Sequence, residues 1–160
     1  MASFHDALQL ADRGDIAVVD CRNAFELPAL RTSVAEARRQ VVTLLHDWGA
    51  DGETAEGAEL VVSELVTNAI CHTDSDTIGC ELRVTGALLR VDVADEGWST
   101  TAPLAHPGPV DLDGEGGRGL LLVDALSETW GVLAAVGGHG HVVWAELPYA
   151  QGPAGPADCF

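Results

Sequence analysis

Apolar and polar positions alternate along this chain in two distinct periods. From Val34 to Trp48 the apolar residues Val34, Ala37, Val41, Leu44, Leu45 and Trp48 recur at helical spacing. Ser33 is placed to cap that helix, with Glu36 three residues on completing a capping box, and Gly49 to end it. A second helix is expected from Asp51 or Glu53 to about His72. With successive residues ~100° apart, Ala58, Val61, Val62, Leu65, Val66 and Ala69 fall on one buried face. The period then changes to two. Ile78 to Val84 and Leu88 to Ala94 read as strands around the turn Thr85-Gly86-Ala87, with Leu89, Val91 and Val93 alternating against Arg90, Asp92 and Ala94. A short helix from Leu120 to about Leu126 and two further strands, Thr129–Val136 and His141–Leu147, hinge at Gly137, Gly138 and Gly140.

Between these segments lie stretches without periodicity. Trp98 to Gly117 holds Pro103, Pro107, Gly108, Pro109, Gly114, Gly116 and Gly117, and loops of that length inside a domain are usually lids or binding loops. Near the start, Asp6–Arg13 suggests a short helix and Ile16–Val19 a short strand. Residues 24–31 alternate loosely, and Pro28 confines any strand there to a sheet edge. The segment from Pro148, rich in proline and glycine, reads as a disordered tail. Strands arriving as hairpins, with helices between the pairs, imply an α/β fold: a two-layer sandwich with a mixed, mostly antiparallel sheet and helices on one face. The corresponding division is residues 1–30 as an unassigned extension, 31–148 as the domain and 149–160 as the tail.

Composition narrows the function. The 160 residues suffice for one domain with a single core. Eight Lys and Arg against 25 Asp and Glu give a net charge of -17, which repels nucleic acid and suits either solubility or a basic protein partner. Cysteines stand at 21, 71, 80 and 159, none at CxxC spacing, and the first 15 residues lack an apolar signal core. No apolar run reaches the ~20 residues of a membrane span. These features predict a cytoplasmic protein with reduced thiols and no zinc site.

Two polar residues interrupt the long second helix. Glu64 and Asn68 are one turn apart on the flank beside its apolar face, where ordinary boundary polar residues are also common. A carboxylate and a carboxamide at that spacing could together hold a hydroxyl or water and a hard cation. Downstream, Gly114-Glu115-Gly116-Gly117-Arg118-Gly119 opens a helix. Such a loop lets backbone N–H groups converge on an anion, with Arg118 as a bidentate phosphate contact. The string matches GxGxxG, but a proline-rich loop rather than a strand precedes it, which argues against a dinucleotide fold. The absence of a following Lys-Ser/Thr excludes a Walker A loop.

Taken together, these stretches resemble the Bergerat nucleotide-binding fold of the GHKL superfamily over residues 30–148. Ser63-Glu64-Leu65-Val66-Thr67-Asn68-Ala69 is similar to its N box, Asp95 and Gly97 to its first glycine box, and Gly114 to Leu120 to its second. The wording is nearest to the anti-sigma-factor serine kinases and their small actinobacterial relatives, including the stretch from Trp130 to Pro148. The resemblance implies ATP and Mg²⁺ as ligands. Asn68 would ligate the metal and Glu64 would be the general base. Asp95 would accept the adenine amino group, with Gly97 leaving room for the base. Gly114, Gly116, Gly117, Arg118, Gly119 and Leu120 would hold the phosphates under a lid at 98–116. It implies a sigma factor and a STAS-type antagonist as partners, no direct nucleic acid or membrane contact, and room for a homodimer. A passive ATP-binding regulator is the alternative. It draws on a departure: where the branch carries Lys-Thr before the last strand, this chain has His141 and Val142, so a hydroxyl near adenine is lost. Cys71 replaces a common basic residue beside His72, and both read as structural. No dimerisation helix with a phospho-accepting histidine precedes the domain, which argues against a histidine kinase proper.

Overall fold

The structure is a computed structural model and describes residues 21–96, 117–134 and 140–153. The elements run β1 (Cys21–Pro28), α1 (Ser33–Asp47), α2 (Gly52–His72), β2 (Thr77–Thr85), β3 (Leu88–Asp95), α3 (Gly117–Leu126), β4 (Thr129–Ala134) and β5 (His141–Pro148). The five strands form one sheet in the order β1-β2-β3-β5-β4, and every neighbouring pair is antiparallel. Pro28 does sit on an edge strand, where its missing N–H costs no ladder bond. The expected helix Asp6–Arg13 and strand Ile16–Val19 lie outside the described residues. Among the described residues no helix is long and apolar enough to cross a membrane.

The helices cover one face of the sheet. Val61, Val62, Leu65 and Val66 of α2 are wholly buried, together with Val41 and Leu45 of α1 and Ile78, Leu82, Leu89 and Val91 of the strands. A fully buried Val or Leu side chain contributes roughly 1.5–3 kcal/mol, so this stripe dominates the cohesion between the layers. α1 starts otherwise than its sequence suggests. Thr32 is the N-cap and makes no side-chain cap bond, while Ser33 is the first helical residue. Glu36 does not complete a capping box; its carboxylate is taken by Arg39 and Gln40 within the helix. At α2 the cap is conventional: Asp51 accepts from the Thr54 N–H at 2.8 Å, which holds its carboxyl below the usual aspartate range.

The opposite face of the sheet carries charge rather than a helix layer. Arg22, Glu81, Arg83, Asp92, Arg90 and Glu146 form a chain of ion pairs from β1 to β5, with Arg22 to Glu81 at 2.8 Å, Arg83 to Asp92 at 3.6 Å and Arg90 to Asp92 at 3.1 Å. Thr129 of β4 extends it by donating to Glu146, and the Arg90 guanidinium stacks over Trp144. Glu81 and Asp92 are almost fully buried. Burial pushes the Asp92 carboxyl up, and Arg90 and Arg83 pull it back.

Three expectations are corrected. The sheet begins at Cys21, within the stretch assigned to an extension. Residues after Pro148 are not a loose tail as far as Pro153. Tyr149 is buried, its N–H donates to Ala87, Asp51 donates to the Ala150 carbonyl, and Ala50 bridges to Gln151. The segment therefore straps the α1–α2 turn to the sheet. Thiols are not all reduced: Cys21 is disulfide-bonded, while Cys71 and Cys80 are free. Burial raises the Cys80 thiol to about 12.

The strap centres on the Tyr149 hydroxyl, which donates to the buried Trp48 carbonyl at 2.9 Å. Tyr149→Phe leaves that acceptor without its donor, and a destabilisation of about 1–2 kcal/mol is expected, seen as a Tm lower by about 2–8 °C in a thermal melt. An unchanged Tm would show that the strap carries no stability.

Candidate functional site

The site begins with the orientation of α2. Its buried stripe turns Glu64 and Asn68 to the margin of the core, half-buried, one turn apart along the helix. Against this flank lies the start of α3, which packs on α2. Glu64, Thr67, Asn68, Cys71, His72, Gly119 and Leu120 line one pocket of about 300 Å³ between the two helices. The first-turn N–H groups of α3 have no acceptor within their own helix, so its start is a place of donors and partial positive charge.

Gly119 faces the Glu64 carboxylate. A Cβ on it would stand 2.4 Å from Glu64 Oε2, so only a residue without a side chain allows the carboxylate its present position. Leu120 is buried and anchors α3 immediately beyond. Thr67, Cys71 and His72 were not singled out as site residues by sequence, although their helical spacing from Glu64 and Asn68 places them on the same flank. Cys71 is exposed at the pocket wall rather than structural.

Asp95 does not line this pocket. It is the last residue of β3, almost fully buried, and pairs across the ladder with Ile78 of β2 and His141 of β5. Its Oδ1 lies 3.9 Å from His141 Nδ1. Gly140, at φ +85°, makes this juxtaposition possible, because a Cβ there would fall 2.1 Å from the Asp95 carbonyl oxygen. Val142, expected near an adenine in place of a threonine, points elsewhere. It packs with Ala94 in a small cluster apart from the main core, whereas its neighbour Val143 belongs to the main core. Strand alternation thus puts His141, not Val142, on the side of Asp95. Gly97, Gly114, Gly116 and the lid at 98–116 lie outside the described residues, as does the side chain of Arg118; Gly117 is the first residue of α3.

The donor set suits a hard cation accompanied by phosphate oxygens. Asn68 offers a side-chain oxygen with the Glu64 carboxylate one turn away, and among the described residues no group of three or more His, Cys, Asp or Glu forms a metal cage. Mg²⁺ is commonly held by one or two protein oxygens together with substrate phosphates and water, so the residues present fit it.

Helices on one face of an antiparallel sheet, with a pocket between α2 and the glycine-led start of α3, define a two-layer α/β class of domain. Residues 27–147 match the histidine kinase-like ATPase domain, and the chain belongs to that family. The serine-protein kinase RsbW of Oceanobacillus iheyensis is 29% identical over 116 residues, which cover 65% of this chain and 73% of that protein. Among solved structures, the histidine kinase domain of the Erythrobacter litoralis EL346 blue-light activated histidine kinase aligns with a TM-score of 0.41 and 24% identity, over 90% of this chain and 73% of that one.

Gly140 is the position whose substitution should be least tolerated. Gly140→Ala combines a left-handed backbone with a clash against Asp95, and a loss of at least about 2 kcal/mol is expected. Thermal denaturation should show Tm falling by roughly 4–8 °C or more; a Tm equal to wild type would mean that the β3–β5 approach is not tight.

Proposed function

We propose that the protein binds ATP with Mg²⁺ in the pocket between α2 and α3 and acts as a protein serine kinase of the anti-sigma-factor type. The observation that carries this reading is the convergence of Glu64 and Asn68 on the glycine-led start of α3 in one pocket. Similarity to a protein named as a serine-protein kinase supports the choice of a hydroxyl acceptor. When bound, the Mg²⁺–nucleotide pair would supply the transferable phosphoryl group and neutralise charge on it.

The chain's own residues supply position and proton handling. Asn68 presents a side-chain oxygen to the cation. The backbone of Gly117, Arg118 and Gly119 offers N–H donors to phosphate oxygens, and Asp95 accepts from the amino group of the base. Glu64, held beside Gly119, takes the proton from a serine hydroxyl of the partner protein. In phosphoryl transfer, positioning and electrostatics account for most of the acceleration, so a constellation this small is sufficient. The proposed partners are a sigma factor and a STAS-type antagonist, as the sequence resemblance implied. The strongly acidic surface suits clamping a basic partner. The alternative, an ATP-binding regulator without turnover, draws on the hydroxyl that is lost at Val142, a residue packed against Ala94.

Two substitutions separate binding from chemistry. Asn68→Ala should weaken Mg²⁺-dependent ATP binding by about 10- to 100-fold in a titration, the worth of a contact to a charged group; an unchanged Kd would remove Asn68 from the site. Glu64→Gln should bind ATP as wild type does and transfer phosphate to a co-purified partner about 10²–10⁴-fold more slowly. Equal transfer by the Glu64→Gln protein would deny Glu64 the role of base.

A further inference from the structure

We propose that a second cavity, at the start of α2, is a docking site into which a partner protein inserts one arginine side chain. It goes beyond the nucleotide reading and does not depend on it. The cavity measures about 230 Å³ and lies at the other end of α2 from Glu64 and Asn68. Asp51, Glu53 and Gly57 line it from α2, Leu126 from the last position of α3, and Leu147 and Pro148 from the end of β5. Its walls are tied together. The Thr54 hydroxyl accepts from the Ala150 N–H at 3.1 Å, and Asp51 accepts from the Thr54 N–H.

Gly57 is the residue that argues for a ligand. It stands inside the 21-residue α2, where glycine is less favourable than every residue except proline. Neither backbone nor packing asks for it. Gly57 has no positive φ, and a Cβ there would meet only the Leu147 side chain, at an ordinary 3.6 Å. Gly119 and Gly140 are different, since a Cβ on either would collide. What the missing side chain at Gly57 does is keep the space beside Leu147 open. A local rule broken without a structural reason marks a functional position.

Size and charge name the occupant. Drug-sized ligands fill pockets of roughly 300–1,000 Å³, so this one takes a single long side chain. Leu147 is buried and Leu126 half-buried, which suits an aliphatic stem, while Glu53 is exposed and Asp51 half-exposed, which suits a charged head in contact with water. The surroundings are negative without relief, because residues 40–82 and 119–160 contain no Lys or Arg. Asp51 answers the partial positive charge at the start of α2, and Glu53 is left for the ligand. A guanidinium fork pairs with carboxylates bidentately, and arginine is enriched among the residues that anchor interfaces. Glu53 lies about 16 Å along the helix from Glu64, so a partner anchored here can present another of its segments to the pocket between α2 and α3.

The test titrates the ¹⁵N-labelled intact chain with blocked glycine–serine peptides that carry one arginine or one citrulline, which keeps the shape and lacks the charge. The arginine peptide should shift the amides of Thr54, Gly57, Leu126 and Ala150 with a Kd in about the millimolar range, and the citrulline peptide should bind about tenfold more weakly. Gly57→Leu, which fills the cavity, should weaken the arginine peptide at least about tenfold, as should Glu53→Gln at its exposed position, with the Kd of ATP unchanged in both. Gly57→Ala should melt at or above the wild-type temperature, because the space admits a methyl group. Shifts spread over the acidic surface and indifferent to both cavity variants would show general charge attraction and overturn the assignment. Equal binding of the citrulline peptide, or a Gly57→Ala protein that melts below wild type, would overturn it too. The same amides shifting with protein concentration alone would put a second copy in the cavity instead of a partner. Should Gly57→Leu fail to fold, Glu53→Gln decides. The peptide titration uses no nucleotide, so a wild-type protein that binds no ATP removes the kinase reading and leaves the docking site to its own result.

Discussion

The packing of α2 against the sheet is the constraint on which the site depends. Val61, Val62, Leu65 and Val66 are completely buried, and Ala58 and Ala69 extend the same stripe along the helix. Turning the helix by one residue, ~100°, would drive a charged Glu64 into the core and expose a valine. The helix therefore has one rotational setting, and the orientation of Glu64 and Asn68 follows from apolar burial rather than from any bond they make. Asp51 fixes where this helix begins, and the Tyr149 strap fixes the turn before it. At the start of α3, Gly119 leaves the Glu64 carboxylate room for its present position. Hydrophobic packing sets the direction of these side chains, and the missing side chain at Gly119 leaves the carboxylate its place.

The charged face of the sheet has a different office. A buried ion pair contributes little net stability, since desolvation offsets most of the attraction. It discriminates strongly, however, between registers. Slipping β2 or β3 by one residue would turn Glu81, Arg83 and Asp92 into the apolar layer and Leu82 and Val91 out of it. Alternating Arg and carboxylate from β1 to β5 therefore holds the strands in the single register that sets Asp95 opposite His141.

Much of this was legible in the sequence because the signals are local. The helical period of α2, the turn at Gly86 and the alternation of β3 each involve residues within a few positions, and the site residues Glu64 and Asn68 could be placed on the correct flank from spacing alone. The misreadings concern contacts between distant segments. Ser33 and Glu36 match a capping box in pattern, yet Arg39 and Gln40 compete for the same carboxylate. Pro148 to Pro153 look like a loose end by composition, and only the partners Trp48, Thr54 and Ala87 give the segment its place. That His141, rather than Val142, lies on the side of Asp95 was within reach, because the apolar Val143, Ala145 and Leu147 already mark the inner face on which an odd-numbered residue must lie. What spacing could not show was that Asp95 ends its strand directly across from that residue.

The strand order adds a temporal consequence. β5 lies between β3 and β4, so the middle of the sheet is completed by residues 141–148, made after every other strand. Until then β3 has an unpaired edge, and Asp95 lacks the neighbour that flanks it. Because contacts so far apart in sequence close late, a nascent chain on the ribosome can assemble the α1–α2 layer and the β1–β2–β3 meander while the Asp95 end of β3 stays unpaired on its β5 side. The sheet is thus closed in one step, with the final strand, and a chain interrupted before residue 141 would expose the edge of β3.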